Sequence, residues 1–117
     1  MNQAEHDRRI DYIELPATDI ARTRRFYEEV FSWAFEDYGP GYTSFRDGRM
    51  TGGFRKEATV TPGGPLVVIY ATDLAAMERK VTAAGGRIVR PIFEFPGGKR
   101  FHFADPSDNE LAVWSER

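Results

Sequence analysis

The chain predicts an α+β fold of two similar halves, each a strand, a helix and a few further strands with antiparallel character. Three observations carry this. Ala17-Thr18-Asp19-Ile20-Ala21 returns as Ala71-Thr72-Asp73-Leu74-Ala75, 54 residues later in a chain of 117. A helical apolar stripe follows each copy at the same phase, and a strand of alternating polarity precedes each copy. A self-match near half the length marks one supersecondary unit written twice.

Each element has a local reason. Residues 10–15 alternate, with Ile13 and Leu15 on one face and Tyr12 and Glu14 on the other. Thr18 or Asp19 suits a helix N-cap, because a short side-chain oxygen accepts from the free amides of the first turn. Ile20, Thr23, Tyr27, Val30 and Ala34 then fall at helical spacing, and the helix is expected to run out near Trp33 without a glycine stop. Trp33 and Phe35 beyond it read as core or dimer contacts. Strands are expected at 42–46 and 53–57, with Gly52-Gly53 assigned to hairpin geometry. Pro62-Gly63-Gly64-Pro65 marks the joint between the halves.

In the second half, residues 66–70 form the strand, and Val67 and Ile69 match Ile13 and Leu15. Thr72 or Asp73 caps a helix whose stripe is Leu74, Met77, Val81 and Ala84, and Gly85-Gly86 ends it. Strands follow at 87–93, 99–104 and 111–115. The chain is read as one domain, 1–117, made of modules at about 9–60 and 64–116.

Composition narrows the function classes. A net charge of −2 argues against a nucleic-acid surface. The absence of cysteine excludes disulfides, thiolate nucleophiles and thiolate metal sites. No apolar run approaches the ~20 residues that span a bilayer, and residues 1–9 lack the apolar segment of a secretory signal. A cytoplasmic protein without membrane or nucleic-acid partners is the expectation. The basic cluster Arg22, Arg24, Arg25 reads as a solvated face, with Arg24–Glu28 an i,i+4 pair.

Two motifs carry a resemblance. Tyr12-Ile13-Glu14-Leu15-Pro16-Ala17-Thr18-Asp19 with Phe26-Tyr27-Glu28-Glu29-Val30-Phe31 resembles the opening of vicinal oxygen chelate proteins, the glyoxalase, bleomycin-resistance and extradiol-dioxygenase group. Phe103-Ala104-Asp105-Pro106-Ser107-Asp108-Asn109 is similar to that family's FxDPDGN turn, and residues 91–100 resemble the segment before it in the glyoxalase-like subgroup. The resemblance runs from about Ile10 to Trp114. It implies tandem βαβββ modules whose mixed sheet curls around a cleft, usually completed in a homodimer.

Enzymes of this family hold a divalent metal in the cleft. The resemblance places the three ligand positions at Tyr12, Leu66 and Ala112. Leucine and alanine have no donor atom and a neutral phenol is a poor one, so no family-type metal site and no cofactor are expected. Glu110 is read as facing water at the end of the turn.

Strand parity gives the expected lining. Phe101, Phe103, Leu111 and Val113 point toward the helices, which leaves Tyr12, Glu14, Leu66, Val68, Tyr70, Arg100, His102, Ala112 and Trp114 for the cleft. Phe45 and Phe54 are further candidates. Glu14 and His102 are the candidate acid/base pair, the others candidate ligand contacts, and Tyr12, Tyr70 and Trp114 could stack on a flat ligand. The competing reading of Glu14 is an ion pair with Arg100 or Arg90. The expected function is binding of a small organic molecule, with or without proton transfer. The alternatives are a lyase, isomerase or transferase with a displaced metal site, or an interaction module whose cleft is filled by its own side chains.

Overall fold

The computed structural model describes residues 3–116. After a short 3-10 turn at Gln3–His6, the first half runs β1 Tyr12–Ala17, α1 Ile20–Phe31, β2 Ala34–Asp37, β3 Tyr42–Arg46 and β4 Thr51–Lys56. The second runs β5 Val67–Tyr70, α2 Leu74–Ala83, β6 Arg87–Phe95, β7 Gly98–Ala104 and β8 Glu110–Ser115. Each half makes its own four-stranded sheet, ordered β1-β4-β3-β2 and β5-β8-β7-β6. In both, the first strand lies parallel to the last and the remaining pairs are antiparallel. The repeat of letters is thus a repeat of topology.

The helices begin as the capping residues dictate. Asp19 accepts from the Arg22 amide and Asp73 from the Ala76 amide, both at 3.0 Å. Helix α1 stops at Phe31, two residues before Trp33, because Ser32 adopts the left-handed conformation at φ 62° and returns its amide to the Glu28 and Tyr27 carbonyls. Gly85, at φ 97°, follows α2 as expected. Strand β2 was not visible in the sequence: four residues at a sheet edge carry too little alternation to stand out.

Gly52 and Gly53 lie inside β4, not in a hairpin, and face opposite sides of the sheet. A Cβ on Gly52 would sit 2.2 Å from the Ile13 carbonyl oxygen and 2.4 Å from the Phe45 ring. A Cβ on Gly53 would sit 2.1 Å from the Tyr42 hydroxyl. Each glycine therefore lets one aromatic ring cross the strand, Phe45 on the core side and Tyr42 on the outer side.

The core is aromatic. Trp33 stacks between Tyr27, 4.7 Å away, and Phe45, 4.5 Å away, which makes it a core residue. Phe45 and Phe54 are buried there as well, so neither lines a cleft. Helix α1 also touches the second half, with Phe26 and Phe31 against Phe103.

A buried polar clamp joins the halves. Asp105 accepts from the Ser107 and Asn109 amides at 2.8 and 3.0 Å and from the Tyr27 hydroxyl at 2.9 Å. Ser107 Oγ accepts from the Thr18 amide at 2.9 Å and shares a hydrogen bond with Thr23 at 2.7 Å. Asn109 Nδ2 donates to the Pro16 carbonyl at 2.7 Å. The threonine in the apolar stripe of α1 is thereby explained: its hydroxyl is buried with a partner.

Candidate functional site

Parity places the outer faces as expected. Leu15, Val67 and Ile69 pack against the core and Ile13 is half-buried on the same face, whereas Tyr12, Glu14, Val68 and Tyr70 are open to solvent. Where β1, the 61–65 linker, β5 and the start of β8 come together, they enclose a cleft of about 470 Å³. Glu14 from the first half and Leu66 and His102 from the second all face it. Arg55, Glu110 and linker residues 61–65 complete its walls. The joint between the halves is therefore part of the site.

The other candidates lie elsewhere. Tyr12, Val68 and Tyr70 remain on the open sheet faces, and Arg100 and Trp114 are half-buried on the outer face of the second sheet. Ala112 is fully buried between His102 and Val68 in the sheet register, so it offers no surface to a ligand. Its parity is correct, but its neighbours cover it.

Glu14 and His102 share the cleft but have different partners. The Tyr42 hydroxyl donates to Glu14 Oε2 at 3.0 Å, and Tyr42 shares a 2.5 Å hydrogen bond with the Tyr12 hydroxyl. Arg55 Nη1 stands 3.6 Å from Glu14 Oε1, so Arg55, rather than Arg100 or Arg90, is the cation beside Glu14. Desolvation raises the Tyr42 pKa, and the hydrogen bonds with Tyr12 and Glu14 add to the shift, so Tyr42 stays a neutral donor.

His102 Nδ1 lies 2.9 Å from Glu110 Oε2. An ionised carboxylate only accepts, so a neutral His102 carries its proton on Nδ1 and leaves Nε2 as a bare lone pair. Nε2 is enclosed and has no partner among the described residues. The side chain of His102 is 11% exposed and that of Glu110 36%. Glu110 thus belongs to the site and does not merely face water. The missed signal was parity itself: β8 begins at Glu110, so 110 shares a face with 112 and 114.

The donor set can be tested against the metal that the family implies. Tyr12 is a phenol bonded to Tyr42, and neither Leu66 nor Ala112 has a donor atom. Among the described residues no group of three or more His, Cys, Asp or Glu is placed to hold a metal ion. The residues present do not fit a family-type divalent site.

Two βαβββ modules of identical sheet order with a cleft at their joint define a protein of the glyoxalase and bleomycin-resistance fold. The chain belongs to the Glyoxalase/Bleomycin resistance protein/Dioxygenase superfamily, whose model matches residues 9–113. It is 31% identical over 124 residues to the anthracycline biosynthesis protein DauV of Streptomyces sp. (strain C5), covering 88% of this chain and 45% of that relative. The chain therefore spans less than half of that relative's length. Among solved structures it resembles a glyoxalase-related enzyme from Fulvimarina pelagi, with a TM-score of 0.79 and 23% identity over 92% of this chain and 88% of that one. It also resembles the fosfomycin resistance protein FosX from Mesorhizobium loti, with a TM-score of 0.77 and 15% identity over 92% of each chain. At these identities the structural likeness shows the fold alone. Among the described residues, no helix is long and apolar enough to cross a membrane.

Proposed function

We propose that the inter-module cleft binds a small organic molecule without a metal, and that His102, oriented by Glu110, exchanges a proton with it. The observation that carries this reading is the His102–Glu110 pair. A histidine with its Nδ1 committed to a carboxylate and its Nε2 unmatched is arranged as a proton acceptor. On binding, a ligand X–H bond breaks, the proton passes to Nε2, and the electron pair stays on X. Glu110 offsets the charge of the resulting imidazolium. Glu14, held by Tyr42 and Arg55, is a polar contact for the ligand and not the proton partner of His102.

The proposed ligand class is a flat, hydroxylated ring system. Its support is the likeness to a protein named for anthracycline biosynthesis. The exposed apolar side chains Tyr12, Leu66, Val68 and Tyr70 also suit a second copy of the chain, and we propose a homodimer.

Titration with a fluorescent anthracycline, followed by thermal shift and by quenching of tryptophan fluorescence, tests the binding reading. Saturable binding with a raised melting temperature is expected. The reading fails if neither signal changes, or if His102→Ala together with Glu14→Gln leaves the affinity untouched. Sedimentation that shows only monomer at tens of micromolar would remove the dimer.

A further inference from the structure

The outer face of the first sheet has a gap that is filled from two strands away. Glu14 of β1 pairs with Gly53 of β4, and Gly53 pairs with Ser44 of β3. Tyr42 shares the face of Ser44 and leans across the place where residue 53 has no side chain. A Cβ there would meet the Tyr42 hydroxyl at 2.1 Å and the Tyr12 hydroxyl at 2.6 Å. The glycine thus opens a passage through which a β3 side chain reaches β1.

A directed chain of hydroxyls results. Tyr42 gives its single proton to Glu14 Oε2 at 3.0 Å, so in the 2.5 Å bond with Tyr12 it accepts and Tyr12 donates. Glu14 Oε1 is left over. Arg55 Nη1, at 3.6 Å, is beyond hydrogen-bond reach, and Arg55 Nε is bonded instead to Glu57 at 3.0 Å. Oε1 therefore has no hydrogen-bond partner among the described residues, while Glu14 itself lines the cleft. Across the joint the second half offers the same polarity. His102 Nε2 is a bare lone pair, and Glu110, bonded to His102 through Oε2, only accepts. Among the described lining residues Arg55 is the one arginine or lysine, and Glu57 already occupies it. The charged walls thus meet a ligand with acceptors from both halves.

We propose that Tyr42 is a positioning residue that fixes Glu14 as the second acceptor of the cleft, and that the site selects ligands with two hydrogen-bond donors, one for His102 and one for Glu14. This rests on the small-molecule reading above and narrows it to rings that carry a donor at two ends. A ligand oxygen without a proton would set its lone pairs against those of Glu14 or His102 and leave that acceptor unmatched. Without the Tyr42 bond, Glu14 is free to turn to Arg55, and the second acceptor leaves the cleft.

The test uses a matched pair of probes, 2,6-dihydroxynaphthalene and its monomethyl ether, titrated by calorimetry into the full chain. The ether keeps the ring system and one hydroxyl but brings a methylated oxygen to one of the two acceptors. The wild-type protein is expected to prefer the diol by about tenfold or more. Tyr42→Phe should reduce the preference to about twofold or less by weakening the diol alone. Gly53→Ala should do the same by displacing the Tyr42 hydroxyl, with both variants checked for folding by circular dichroism. Tyr38→Phe, an exposed tyrosine of the same half, should keep the preference. Equal binding of the two probes to the wild type would overturn the inference while leaving the cleft reading intact. A preference that survives in Tyr42→Phe or Gly53→Ala, or disappears in Tyr38→Phe, would overturn it as well. If neither probe binds, both this inference and the small-molecule reading fall.

Discussion

Removing one hydroxyl, in Tyr27→Phe, tests the clamp that holds the halves together. Tyr27 is fully buried and donates to Asp105 Oδ2 at 2.9 Å. The substitution leaves the rings stacked on Trp33 and Phe54 in place and deletes only the donor. A hydrogen bond to a buried carboxylate is worth about 1.5–3 kcal/mol, so a loss of about 2 kcal/mol is expected at neutral pH. For a chain of this size that lowers the melting temperature by roughly 6–12 °C.

The pH dependence has a definite sign. Burial raises the Asp105 carboxyl above the usual carboxylate range, opposed by its hydrogen bonds to Asn109, Tyr27 and Ser107. A carboxyl with a raised folded pKa binds more protons folded than unfolded. Its contribution therefore falls as pH rises from the unfolded pKa through the folded one, and is level above. Losing the Tyr27 donor raises the folded pKa further. The gap between wild type and variant should thus widen as pH rises from about 4 to 7. Urea denaturation of both proteins across that range measures it. A loss below about 0.5 kcal/mol at pH 7, or a gap that grows toward acid, would refute the clamp argument.

Three further outcomes follow from the geometry. Gly52→Ala should destabilise more than Gly53→Ala, because its Cβ meets a backbone oxygen as well as a ring, whereas Gly53 meets only tyrosine side chains that can swing out; urea melts giving equal losses would contradict this. Glu110→Ala should shift neutral His102 away from the Nδ1–H form, read from imidazole nitrogen chemical shifts, and an unchanged tautomer would separate Glu110 from its assigned role. Prolonged dialysis against a chelator should leave the melting temperature unchanged, and stoichiometric metal with a fall on removal would reveal a site that Tyr12, Leu66 and Ala112 do not form.

The sequence by itself determined the repeat, the helix starts and the inward-facing positions of β1, β5, β7 and β8. These are local matters: Asp19 and Asp73 cap because of their own side chains, and Leu15 and Val67 face inward because a strand alternates by two. It also determined that two of the family's three metal positions lack donors, since Leu66 and Ala112 have none in any fold. Only the tertiary structure decided who partners whom. Glu14 took Arg55 and Tyr42, not Arg100, because β4 and β3 of its own sheet bring those groups beside it. Glu110 met His102 across the β7–β8 pair, and Ala112 lost its exposure to its neighbours. Parity fixes the face a side chain takes, but burial and pairing depend on residues brought together from far along the chain.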